Sequence, residues 1–194
     1  MTKGPLFIVS GASGSGKTTA IERLLAEMPP DRVRLSVSAT TRPPRAGEID
    51  GKHYHFWTRE RFLEGIRRQE FLEHAQVHGQ YYGTLRSEVE PYRNRGVGVI
   101  LDIDVQGAAQ IRQLCPESVT IFLRTSSPAV YEERLRKRGT ETDEAIGRRL
   151  ARAAQELAHA GEYDHQVVND DLATAVAKLG DIVRRHLERG NHAG

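Results

Sequence analysis

A lysine and a hydroxyl set directly after a glycine-rich run are the residues here best suited to holding phosphate. Gly11-Ala12-Ser13-Gly14-Ser15-Gly16-Lys17-Thr18 fits G-x-x-x-x-G-K-[ST]. Glycines let the backbone curl until several N–H groups converge on one anion. A helix opening at Lys17 turns its positive end toward the same point. Lys17 can then reach the β- and γ-phosphates of a nucleotide, and the Thr18 hydroxyl can bind Mg²⁺. Gly11 to Thr19 are therefore the expected nucleotide-binding positions. A chance glycine-rich turn is the plain alternative, and it arises in roughly 1% of chains this long. Asp102 can supply the acidic partner for the metal, or can simply cap a strand end.

A second cationic feature lies at Thr40-Thr41-Arg42-Pro43-Pro44-Arg45-Ala46-Gly47-Glu48. Two arginines three residues apart beside a proline pair form a semi-rigid clip, and arginine grips phosphate bidentately. A surface salt-bridge cluster is the competing reading. Glu73 taken alone reads as a solvated strand residue. His53 with His55, or His74 with His78, have no third ligand at metal-site spacing.

Elements that could position these residues follow from hydrophobic pattern. Leu6-Phe7-Ile8-Val9 is a short apolar run, as in a strand covered on both faces. Val99-Ile100-Leu101, Val119 to Leu123 and a run ending at Val167-Val168 predict three more strands. Helical spacing covers Lys17 to Met28, Gln106 to Leu114, Ser127 to Lys137, Thr142 to Ala160 and Asp171 to about Arg189. Strands alternating with helices predict an α/β fold with an open parallel sheet and helices on both faces. The stretch from about Arg34 to Val97 breaks that rhythm. Its strand-like runs, His53 to Trp57 and Phe71 to Val77, predict a small α+β insertion.

The 194 residues suit one domain with inserted subdomains, and 38% hydrophobic with 28% charged residues is a globular composition. Net charge is only +2 with no block of like charges, so no nucleic-acid partner is expected. The single cysteine, Cys115, can form neither an internal disulfide nor a zinc site by itself. The first apolar run is too short for a signal peptide or a membrane span, so the expected location is a reducing cytoplasm without membrane contact.

The clip, together with Gly51, Tyr54 and Phe56, resembles the signature of guanylate kinases. The resemblance continues through Glu70-Phe71-Leu72-Glu73, Tyr81-Tyr82-Gly83-Thr84 and Leu101 to Gly107. It ends in Arg138-Gly139-Thr140-Glu141-Thr142 and Val168-Asn169-Asp170-Asp171, so it spans about Pro5 to Arg189 in order. It implies a P-loop NTPase-type core at about 1–33, 96–126 and 162–194, a GMP-binding subdomain at about 34–95 and a helical lid at about 127–161. It implies ATP and GMP as substrates, with Arg42, Arg45, Tyr54 and Tyr82 on the GMP phosphate. Ser38, Glu73, Thr84 and Asp104 would read guanine. Arg134, Arg138 and Arg149 would meet the transferring phosphoryl group beside Lys17 and Arg42, and Arg138 and Asn169 would lie near adenine.

Guanine chemistry is consistent with that set. A carboxylate accepts from N1–H and N2–H₂, a hydroxyl donates to O6, and adenine would leave the carboxylate unpaired. Departures are small: Ala12 for a usual proline, Thr84 for serine, Trp57 for an aliphatic residue, and His165-Gln166 for a more apolar pair. None removes an expected ligand. Two alternatives stand beside this reading. One is a kinase of the same fold with another acceptor, and the other is a non-catalytic binding module. The intact Gly16-Lys17-Thr18 argues against the module. Nothing in the residues sets the oligomeric state.

Overall fold

Leu6, Phe7, Ile8 and Val9 are all fully buried and form the central strand of the molecule. The computed structural model describes residues 2–12, 14–77, 79–137 and 142–192, with side chains as far as 188. In chain order its first half contains β1 (Leu6–Gly11), α1 (Lys17–Glu27), β2 (Val33–Leu35), β3 (Ala39–Thr40), β4 (His55–Phe56), α2 (Arg59–Arg67), β5 (Phe71–Val77), β6 (Gln80–Leu85) and α3 (Arg86–Arg93). Then follow β7 (Gly98–Asp102), α4 (Val105–Leu114), β8 (Val119–Arg124), α5 (Pro128–Lys137), α6 (Asp143–Leu157), β9 (His165–Val168) and α7 (Leu172–His192).

The main sheet is parallel, in the order β2-β7-β1-β8-β9. Successive β1 side chains face opposite layers. Phe7 and Val9 pack with Ile21, Leu24 and Leu179 of α1 and α7, whereas Leu6 and Ile8 pack with Val89, Ala108 and Ile111 of α3 and α4. Burying each such side chain contributes about 1.5–3 kcal/mol, so both helical layers are anchored to one strand. The sheet has five strands where the apolar runs predicted four. β2 is only three residues long and half-buried at an edge, so it carries no continuous apolar run, and it falls where the insertion was expected to begin.

A second sheet, β4-β3-β6-β5, holds the insertion. β3 pairs parallel with β4 and antiparallel with β6, and β5 pairs antiparallel with β6. Helix α2 closes it. Thr58 caps this helix by accepting from the Arg61 N–H at 3.2 Å. Its Phe62 is fully buried and stacks on Phe71 with ring centroids 4.4 Å apart. Arg93, at the end of α3, donates to the Gly4 carbonyl at 2.8 Å and pairs with Glu117 at 3.0 Å, which ties the insertion to the core.

Helices α5 and α6 lie over the glycine-rich loop, where Tyr131 and Ala153 pack on Ala12. Thr142 caps α6 by accepting from the Ala145 N–H, and Asp143 and Glu144 in the first turn complement its positive end. Helix α7 extends to His192, three residues past its expected end.

Candidate active site

The chain turns sharply between β1 and α1. Gly14 and Gly16 have φ of 91° and 79°, the left-handed region that glycine adopts without strain. The Ser15 N–H donates to the Ala12 carbonyl at 2.9 Å, which curls the loop. Asn169, just past β9 and 2% exposed, donates through Nδ2 to the Ser15 carbonyl at 2.6 Å. A Cβ on Gly16 would stand 2.6 Å from that same nitrogen. Gly16 is therefore required both by its φ and by the amide packed against it. Ser13, an expected ligand, lies outside the described residues.

Lys17 leaves α1 toward the end of β7, where its Nζ is 2.5 Å from Asp102 Oδ1 and donates to the Ile103 carbonyl at 3.0 Å. Thr18 Oγ1 donates to Asp102 Oδ2 at 3.3 Å. Two adjacent parallel strands thus bring an ammonium, a hydroxyl and a carboxylate together at the carboxyl edge of the sheet.

On one side of this cluster a cleft is lined by Ser38, Arg45, Tyr54, Glu73, Tyr82 and Asp104, among others. Its volume is about 390 Å³, within the roughly 300–1,000 Å³ of small-molecule sites. Glu73 stands on β5 and is 6% exposed. Its Oε1 accepts from the Thr84 N–H at 3.0 Å and from the Thr84 hydroxyl at 2.6 Å. Burial pushes this carboxyl up to about 7; the Thr84 hydroxyl opposes the rise and nearby Asp104 adds to it. Thr84 is fully buried, so it sits behind Glu73 rather than in the cleft wall. Asp104 caps α4, with Oδ1 accepting from the N–H groups of Gln106 at 3.1 Å and Gly107 at 2.9 Å. Its Oδ2 lies 4.0 Å from Arg152 Nη2.

The arginine clip has an internal partner. Arg42 forks onto Glu48 at 2.9 and 2.8 Å, and the Arg45 N–H donates to the same carboxylate at 2.6 Å. The Arg42 fork is the chief reason the Glu48 carboxyl is held down to about 2. Arg42 also lies 5.6 Å above the Tyr54 ring, and burial pushes the Tyr54 phenol up to about 12. The salt-bridge reading of the clip is the one observed, and the bridge fixes the segment that carries Arg45 into the cleft. Sequence reasoning missed the role of Glu48, although its position three residues after Arg45 was a usable signal.

A second cleft, also about 390 Å³, follows the glycine-rich loop and reaches Arg149, Arg152 and Glu156 of α6. A third, outer cleft joins Gly14, Gly16 and Thr19 to Arg134, Lys137, Asn169 and Leu172. Arg134 donates to the Asp170 carbonyl there at 3.0 Å. Arg134 and Arg149 thus border different clefts, and Arg42 joins neither. Arg138 lies outside the described residues. Arg152 and Lys137 line clefts without having been singled out in the sequence.

A phosphate-cradling loop at the carboxyl edge of a parallel sheet, facing a second cleft with a buried carboxylate, defines a P-loop nucleotide-binding α/β protein. Comparison with known proteins narrows the class. A family model described as guanylate kinase matches residues 3–186. The guanylate kinase of Escherichia coli strain K12 is 47% identical over 184 residues, covering 95% of this chain and 89% of that one. That of Salmonella typhimurium strain LT2 is 46% identical over the same shares. The crystal structure of guanylate kinase from Anaplasma phagocytophilum has a TM-score of 0.77 at 32% identity, covering 96% of this chain and 88% of that chain. This chain belongs to the guanylate kinase family.

Proposed function

We propose that the chain transfers the γ-phosphoryl group of ATP to GMP, giving ADP and GDP, with the two inner clefts holding donor and acceptor. The observation that carries the acceptor assignment is Glu73. A carboxylate held 6% exposed by two Thr84 hydrogen bonds keeps Oε2 for a ligand with paired donors. Guanine supplies them at N1–H and N2–H₂. Ser38 and Asp104 stand in the same cleft, and Thr84 acts as the positioning residue behind Glu73. Arg45, Tyr54 and Tyr82 take the GMP phosphate, and Arg42, braced by Glu48, supports them from the clip.

In this reading Lys17 neutralises charge on the β- and γ-phosphates and the loop N–H groups cradle them. The attacking GMP oxygen is already anionic, so no general base is needed and catalysis is positioning plus charge neutralisation. Thr18 Oγ1 and Asp102 Oδ2, 3.3 Å apart, are hard oxygen donors of the kind that would hold Mg²⁺. When bound there, the ion offsets charge on the phosphate oxygens. Helices α5 and α6 serve as the lid, bringing Arg134 and Arg149 to the phosphates and excluding water. The proposed location is the cytoplasm; no described helix is long and apolar enough to cross a membrane.

The test is ADP release from ATP across a panel of nucleoside monophosphates. GMP should be preferred over AMP by more than about a hundredfold, because a buried polar group left unpaired costs about 1–3 kcal/mol and a charged one more. Equal rates with AMP and GMP would end the acceptor assignment.

A further inference from the structure

We infer that Arg152 is a further catalytic residue, a cation that contacts the phosphates at the seam between the donor and acceptor clefts. The inference rests on the ATP-to-GMP reading above. Among the described residues, the acceptor cleft and the glycine-loop cleft share Lys17, Thr18, Asp104 and Arg152. Lys17 and Thr18 belong to the donor phosphates and Asp104 to the base. Arg152 is the shared residue with no role in the reading so far, and the seam is where the phosphoryl group must cross.

Its position on α6 suits that task. It lies three positions after Arg149, so both lie on one helix face. Its Nε donates to Glu156 Oε1 at 3.0 Å, and Glu156 is 8% exposed, so the guanidinium is oriented at its root by a buried carboxylate one turn on. Its Nη2 stands 4.0 Å from Asp104 Oδ2, which is ion-pair distance but longer than a hydrogen bond. A planar fork fixed at the root and lying across the seam can grip oxygens of donor and acceptor phosphates together. Electrostatics favours the same outcome. Asp104 stands in the seam with Asp102 beside it in the acceptor cleft, and two nucleotides add several negative charges, so a further cation beside Lys17 stabilises the crossing group.

The test compares Arg152→Gln and Arg152→Lys with wild type in steady-state kinetics with ATP and GMP, alongside thermal unfolding. In Arg152→Gln, kcat should fall about tenfold while KM for GMP changes less and the unfolding midpoint stays near wild type. Arg152→Lys keeps a charge but loses the fork, so its kcat should lie between the two. An Arg152→Gln kcat equal to wild type would overturn the inference. So would a loss confined to KM for GMP with an altered GMP-to-IMP preference, which would mean that Arg152 serves Asp104 alone. Should Arg152→Gln not fold, Arg152→Lys decides: kcat below wild type supports the inference, and kcat equal to wild type overturns it. Wild-type turnover in the same assay keeps two failures apart. An inactive wild type removes the proposed function, whereas an active wild type with unaffected variants removes only the Arg152 role.

Discussion

Glu73 is asked to be buried and to be charged. Its carboxyl is pushed from 4.5 up to about 7, so the folded chain holds a proton between those values that the unfolded chain does not. The sign follows. This group makes the fold more stable as pH falls through about 7, and the gain is complete below about 4.5. At pH 8 burial of the ionised carboxylate costs on the order of 3 kcal/mol. Glu73→Gln should therefore melt higher than wild type at pH 8, with the gap closing by pH 5. The proposed binding of guanine at Glu73 has the opposite preference, because the base's two donors require the ionised form. KM for GMP in wild type should rise as pH falls below about 7, toward tenfold per unit, while Glu73→Gln stays flat over that range. Parallel pH profiles for the two proteins would contradict this account. At this scale the phosphate loop was legible, because its chemistry needs specified residue types at adjacent positions. Arg152 and the bracing by Glu48 were not, since a lone charged residue on a helix or loop reads as solvated until the fold supplies its neighbours.

Two elements meet behind the acceptor pocket. The first turn of α4 lies against β5, and a Cβ on Gly107 would stand 2.8 Å from Glu73 Oε2. Gly107→Ala should therefore displace the carboxylate and raise KM for GMP about tenfold or more. In a first turn alanine gains less over glycine than the about 1 kcal/mol of a helix interior, which offsets part of the cost of the displacement, so the melting temperature should change little. Unchanged KM in a stable variant would show that the close approach does not matter to the pocket. The buried strands β1, β7 and β8 were readable because strands covered on both faces need unbroken apolar runs. Other elements were not. β3 is two residues long and paired on both sides, so no window of sequence displays its pattern. Helix α3 contains Pro91 and buries Arg93, both contrary to ordinary helix signals. It persists because Arg93 finds the Gly4 carbonyl and Glu117, partners far along the chain.

At the scale of the whole molecule, function depends on two sheets meeting at one point. The main sheet ends in Lys17, Thr18 and Asp102, the inserted sheet carries Glu73, and α4 supplies Asp104 between them. Contacts between distant segments set this meeting, as with Arg93 and the Gly4 carbonyl, 89 residues apart. Such pairings were not legible in local pattern, because neither segment displays its distant partner. In the proposed reading the molecule delivers phosphoryl groups to an acceptor chosen by a buried carboxylate. The most direct measurement is kcat/KM for GMP and for IMP, at pH 8, in wild type and in Glu73→Gln. The side chains are nearly isosteric, so the fold should be retained. Glutamine turns one acceptor into a donor that faces a guanine donor, and the loss is a charge-assisted pair in a dry site. The efficiency should fall by about two orders of magnitude for GMP and much less for IMP, which lacks the N2 amine, so the GMP-over-IMP preference shrinks. A Glu73→Gln enzyme with GMP efficiency and GMP-to-IMP ratio both near wild type would contradict it.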